Sequence, residues 1–160
     1  YVADGASGWQ VAPFSGDMAP QPLSEEATRD ALDQADVEGP LVDWRKKGHQ
    51  LELVGREVIG GREAYKLKLT LKSGAVRYEY IDVKSHVQVR TDSSRLIRGQ
   101  NVQLETSFSD HKKAGGVLFP RTIEMVAVGR PQRLRVVVDT IEINPPLSDA
   151  RFELLGAAKP

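Results

Sequence analysis

The sequence contains no cysteine. That excludes disulfide staples and every metal or redox site built on thiolates, and it leaves the compartment open, because exported proteins can dispense with cysteine. Net charge is lacking as well. The 22 Lys and Arg balance 22 Asp and Glu, so the long-range attraction to phosphate that marks a nucleic-acid binder is missing, and nucleic acid is not an expected partner. No apolar run approaches the roughly 20 residues of a membrane-spanning helix. The opening YVADGASGWQV has neither the basic nor the apolar region of a signal peptide, begins without methionine, and reads as strand broken at Gly5 and Gly8, which predicts a fragment or a processed form. Catalytic signatures are missing too. There is no G-x-S-x-G elbow, and His49, His86 and His111 stand apart, without the close spacing of metal ligands on one helix or hairpin.

What the sequence does have is alternation. Its 160 residues fit one domain with a real core. From about His49 onward the dominant period is two, the repeat of a strand with one buried face. Tyr65, Leu67, Leu69 and Leu71 alternate with Lys66, Lys68, Thr70 and Lys72; Val76, Tyr78 and Tyr80 form a similar series, as do Val102, Leu104, Thr106 and Phe108. LFPRTIEMVAV and QRLRVVVDTIEIN add two long strands that bring in Phe119, Ile123, Met125, Leu134 and Val136. Gly60-Gly61 and Lys72-Ser73-Gly74 supply the glycines that tight hairpins need for positive φ, so about seven strands should pair in sequence order as a meander. Pro120 cannot donate to a ladder and predicts a bulge or an edge at that point, while Pro145-Pro146 ends the regular structure, with Phe152 tucking back as a plug.

Ser109-Asp110-His111 is the one stretch that invites a catalytic reading. Adjacent strand residues point to opposite faces, so the three diverge rather than converge as a nucleophile, base and orienting acid must. Ser109 and Asp110 therefore read as a strand exit, Lys112 to Gly116 as a hairpin loop, and no catalytic residue, metal or cofactor is expected. One helix is clear, SEEATRDALDQAD, with Ser24 as N-cap, acids in its first turn and Gly39-Pro40 as its stop. Its apolar face is only Ala27, Ala31, Leu32 and Ala35, thin enough for a movable lid as well as for a fixed cover over one end of the sheet. About ten large inward side chains at ~1.5 to 3 kcal/mol each would be forfeited if the sheet's apolar face stayed in water, and one thin helix is too small to cover it. Curling of the sheet, residues upstream, a partner or an apolar ligand must supply the rest.

Several stretches in order carry a resemblance: GWQVAP at Gly8 to Pro13, GPLVDW at Gly39 to Trp44, VGREVIGGREAYKLKLTLKSG at Val54 to Gly74, YIDVKSHVQVR at Tyr80 to Arg90, TSFSDHKKAGGVLFPRTIEM at Thr106 to Met125, and IEINPPLSDARFEL near the end. Together they resemble the outer-membrane lipoprotein-sorting, LolA-like proteins of Gram-negative bacteria. The resemblance implies a mainly β fold, a curved antiparallel half-open β-barrel with a covering helix. It also implies a periplasmic location and a concave apolar groove that receives acyl chains of lipids or lipoproteins. On that reading residues 1–160 are a single domain whose family helix and first strands lie before Tyr1. The groove would be lined by Tyr65, Leu67, Leu69, Tyr78, Tyr80, Leu104, Phe108, Phe119, Ile123, Met125, Leu134 and Val136, under a lid of Ala27, Ala31, Leu32 and Ala35. No cysteine offers the lipid anchor of the LolB-type receptor.

Two other classes fit the same pattern. One is an envelope-stress sensor module similar to the RseB-type regulators, which binds an envelope protein partner and for which a second domain would be the discriminating feature. The other is a structural β-domain in which the groove residues are ordinary core. Arg130, Arg133 and Arg135, and Arg90, Arg95 and Arg98, read as solvated strand faces, with anionic headgroups or an acidic partner as the alternative. An open sheet edge at YVADGASGWQV predicts self-association.

Overall fold

A computed structural model describes residues 2–3, 8–12, 17–36, 38–97, 100–146 and 148; Gly5, Arg98 and Phe152, which the sequence singled out, lie outside them. The chain divides into two compact units, one formed by Tyr1–Val42 with Pro145–Pro160 and the other by Asp43–Asn144.

In the first unit, strands β1 (Val2–Ala3), β2 (Gly8–Ala12) and β3 (Asp17–Pro22) make a three-stranded antiparallel sheet in the order β1-β2-β3. Helix α1 (Glu25–Gln34) follows and packs against β1 and β2. Ser24 caps it as the sequence predicts, its Oγ accepting the N–H of Ala27 at 3.2 Å, which satisfies one of the donors a helix start leaves unpaired. The helix stops at Gln34, before the expected Gly39-Pro40, and the N–H of Ala35 closes it on the carbonyls of Ala31 and Leu32. Gly39, at φ +77°, ends the turn that follows.

The second unit opens with a helical turn that Gly48 closes at φ +79°, where the N–H of His49 reaches the carbonyl of Trp44 at 2.8 Å. Seven strands follow: β4 (Gln50–Ile59), β5 (Arg62–Thr70), β6 (Val76–Asp82), β7 (Gln88–Ile97), β8 (Gln100–Ala114), β9 (Val117–Ala127) and β10 (Arg133–Val137). They form one antiparallel sheet in the order β10-β9-β8-β7-β6-β5-β4, every strand bonded to its neighbour in the chain. The predicted meander is the observed topology. Register shifts between Leu53 and Gly55 and between Tyr80 and Ile81 mark bulges, which bend a sheet, and the sheet is curved and left half-open, with β4 and β10 as its edges.

The glycine turns behave as their chemistry requires. Gly60-Gly61 and Gly115-Gly116 are two-residue connections with positive φ at both positions, and Lys72-Ser73-Gly74 is a three-residue loop with Gly74 at φ +89°. One expectation is corrected here. Ser109 and Asp110 are not a strand exit and Lys112 to Ala114 are not loop, because β8 runs on to Ala114 and only Gly115-Gly116 forms the turn. The strand continues because β9 pairs with it all the way, from Leu104 opposite Ala127 to Ala114 opposite Val117. Pro120 stands opposite His111 without a register shift; Arg121 turns its carbonyl to the N–H of Val138, so by alternation the missing N–H of Pro120 falls on the side facing β8. The local distortion is taken up on β8, where Asp110 adopts φ +52°.

Candidate functional site

Cross-strand partners share a face, so the register sorts every side chain of the seven-stranded sheet. One row runs Leu53, Leu67, Glu79, Thr91, Thr106, Met125, Leu134 from β4 to β10. A second runs Leu51, Leu69, Arg77, Ser93, Leu104, Ala127. Tyr65 and Ile81 continue this face on one side, and Phe108, Ile123 and Val136 on the other. Phe119 has the same alternation but sits at the far end, opposite Lys112 near the β8–β9 turn. Leu69 and Leu104 are buried, whereas Leu53, Leu134 and Val136 on the edge strands are 61%, 59% and 43% exposed.

Tyr78 and Tyr80 are not on this face, which corrects their assignment to the groove. They lie opposite Lys68 and Lys66, and their partners on β7 are Asp92 and Arg90. Tyr80 is buried by polar company. Its hydroxyl donates to Asp92 Oδ2 at 2.9 Å, and its ring lies 5.6 Å from Lys66 Nζ and 5.2 Å from the Arg90 guanidinium carbon. Arg90 in turn bonds Asp92 and Glu105, and Lys66 bonds Glu57. Burial, then the bond to Asp92, raises the Tyr80 hydroxyl above its ordinary range. The second face is therefore a charged lattice built around two aromatic rings.

The apolar face has a polar seam that the alternation did not announce. Glu79 is almost wholly buried, its Oε2 accepting from Thr91 Oγ1 at 2.6 Å and from Gln88 Nε2 at 2.5 Å. Arg77 Nε lies 2.9 Å from Glu79 Oε1, close enough for ion pairing but without aligned hydrogen-bond geometry. Desolvation raises the Glu79 carboxyl above the usual glutamate range, against the opposing bonds from Thr91 and Gln88 and the charge of Arg77. The seam on β6 and β7 separates two apolar patches: Leu51, Leu53, Tyr65, Leu67 and Leu69 on β4 and β5, and Val102, Leu104, Phe108, Ile123, Met125, Leu134 and Val136 on β8 to β10.

Ser109-Asp110-His111 gathers no catalytic set. His111 Nε2 sits 3.1 Å from the carbonyl oxygen of Gln88, while Asp110 faces Lys112 Nζ at 3.5 Å, so the two neighbours engage different partners. His49 Nδ1 accepts the N–H of Lys72 at 3.0 Å, tying the start of β4 to the turn after β5. Among the described residues no group of three or more His, Cys, Asp or Glu is placed to hold a metal, and no helix is long and apolar enough to cross a membrane.

Clefts also open elsewhere among the described residues. One of about 490 Å³ is lined by Gly61, Arg62, Glu63 and Asp82 to Ser85 at the β4–β5 and β6–β7 turns. There Asp82 Oδ1 accepts the N–H groups of Lys84 and Ser85 and the Ser85 hydroxyl, which hold its carboxyl below the usual range. Another of about 420 Å³ lies within the first unit, between Gly8, Pro22 and Leu23 and the helix residues Glu25, Thr28, Arg29 and Leu32. Of the four lid residues, Ala27, Ala31 and Leu32 are half-buried and Ala35 is exposed.

No family model matches the chain, and no curated protein sequence does. Its fold is similar to a crystal structure of a DUF1329 family protein from Desulfovibrio piger, a protein of LolA-like fold, with a TM-score of 0.63 and 17% identity over 96% of this chain. The chain spans 66% of that protein's length. The likeness is one of fold.

Proposed function

We propose that this protein binds acyl chains of lipids or lipoproteins on the apolar face of its seven-stranded sheet, as a periplasmic carrier linked to lipoprotein sorting. The observation that supports this most is the outward continuation of that face. Leucine and valine line it to both edge strands, where Leu53, Val58, Leu134 and Val136 are between 43% and 72% exposed. An apolar face that runs to exposed edges is the arrangement a hydrophobic ligand completes. The two patches on either side of the Arg77-Glu79 seam suit chains lying on both sides of a polar linkage. The lid role of α1, through Ala27, Ala31, Leu32 and Ala35, belongs to the same reading.

The test is uptake of an anthroyloxy-labelled stearate. Wild type should bind it with a rise in fluorescence, and Leu53→Gln with Val136→Gln should weaken uptake while changing stability by no more than ~0.5 kcal/mol per exposed site. Leu104→Trp separates groove from core. Filling a void leaves the melting temperature in place and abolishes uptake, whereas overpacking a core costs ~1 to 3 kcal/mol. If wild type takes up no acyl probe, the carrier function falls and the fold stands.

A further inference from the structure

Strand β10 ends the seven-stranded sheet, and all of its residues are exposed. Its ladder with β9 fixes which backbone groups are in use. Val137 pairs with Thr122, and the next step is the bond from the N–H of Val138 to the carbonyl of Arg121 at 2.8 Å. In an antiparallel ladder every second residue faces the partner, so Leu134 and Val136 spend their N–H and C=O groups on β9 together with Val138. Arg133, Arg135 and Val137 direct theirs away from the sheet. The far end of this strand is held in place, since the Arg121 guanidinium donates to the carbonyls of Val138 and Asp139.

The side chains of this free edge have a pattern of their own. Arg133 and Arg135 stand on the charged face, opposite Val126 and Glu124, and Leu134 and Val136 stand on the apolar face. Arg135 reaches Glu124 at 3.5 Å. Among the described residues the side chains of Arg133, and of Arg130 in the preceding turn, have no ion-pair or hydrogen-bond partner. An edge with free backbone groups ordinarily carries charge to repel other edges, and here the charge is all of one sign. A second β10, laid antiparallel with its apolar face on the same side, would set Arg133 and Arg135 against the same arginines, an arrangement that like charges disfavour.

We infer that β10 is a docking edge for an extended segment of a protein partner in which acidic residues alternate with apolar ones. Such a segment adds a strand to the sheet through the outward groups of Arg133, Arg135 and Val137. Its carboxylates meet the arginines, and its apolar side chains extend the row that ends in Leu134 and Val136. The inference stands on the strand edge and is independent of the acyl-chain reading.

Val137→Pro is the discriminating variant, because it removes an outward N–H and leaves the β9 ladder and every charge intact. The probe is a short fluorescein-labelled peptide alternating glutamate with valine, compared by anisotropy with a counterpart that has lysine for glutamate. Wild type should bind the acidic peptide at least about tenfold more tightly than the basic one, and Val137→Pro should weaken that binding by about tenfold or more at an unchanged melting temperature. Arg133→Glu with Arg135→Glu should invert the preference. The inference is overturned if wild type binds the two peptides alike or neither of them, or if Val137→Pro binds as wild type does. Binding of phosphatidylglycerol vesicles by wild type and Val137→Pro alike, with the acidic peptide ignored, would assign the arginines to lipid headgroups instead. A dimer that Val137→Pro dissociates, with no peptide bound, would assign the edge to a second copy.

Discussion

Glu79 is 1% exposed, in the polar seam between two apolar patches, and the cost of ionising it there decides how stability follows pH. Its carboxyl is raised mainly by desolvation, so the folded state holds the proton more tightly than the unfolded chain does. The folded state then gains stability at low pH, and that gain is lost as pH rises from the ordinary glutamate value of ~4.3 through the raised one. Glu79→Gln keeps an acceptor for Thr91 and Gln88 without the charge, and should flatten the stability curve across that window. Glu79→Ala strands both donors and should cost ~1 to 3 kcal/mol. Urea melts at several pH values check both, and a wild-type curve parallel to that of the glutamine variant would exclude the desolvation account. Asp82 runs the other way. Its carboxyl is lowered by bonds to Ser85 and Lys84, so its contribution is present above the ordinary aspartate range and fades as pH falls through the lowered value.

At the scale of elements, two matched turns isolate one contact. Gly60 and Gly115 have nearly the same φ, +56° and +55°, but a Cβ at Gly60 meets open space and one at Gly115 comes within 2.8 Å of Ile143 Cγ1. Gly60→Ala should cost ~1 to 2 kcal/mol for the left-handed backbone alone. Gly115→Ala should cost about 1 kcal/mol more, since the Ile143 side chain must also give way. Equal melting temperatures for the two variants would mean that the segment carrying Ile143 yields freely. Turns also explain what the sequence made legible. The glycines at Gly60-Gly61, Gly74 and Gly115-Gly116 announce their hairpins, and with the alternation they convey nearly all of the meander, as Ser24 does for the start of α1. They also held a detail the alternation obscured. Three residues in the Lys72–Gly74 loop place Thr70 opposite Val76, which sets Leu67 against Glu79 and turns Tyr78 and Tyr80 to the other face. Size argued for the tyrosines on the apolar face and charge for Glu79 off it, but hydrogen bonds reversed both: Thr91 and Gln88 permit the buried carboxylate, and Lys66, Arg90 and Asp92 occupy the rings and hydroxyl of the tyrosine side. Those partners sit on other strands, so no local pattern shows them.

For the molecule as a whole, the seven-stranded sheet sets a gradient of stability. Interior strands β5 to β9 have a bonded neighbour on each side, and β4 and β10 have one. Amide exchange should therefore be slowest at Leu67, Leu69, Tyr80 and Leu104 and fastest at the outward groups of Arg133, Arg135 and Val137. Uniform protection across the sheet would indicate that something already pairs with β10. The same arrangement bears on how the protein is made. No strand of this sheet waits for a distant segment, because each closes on the one synthesised just before it. The unit can grow hairpin by hairpin in the order in which the chain is made, and only the newest strand is ever without its earlier neighbour. Loop-closure cost stays small at every step, and a chain delivered end first has no need to collect scattered partners before it can hold its shape.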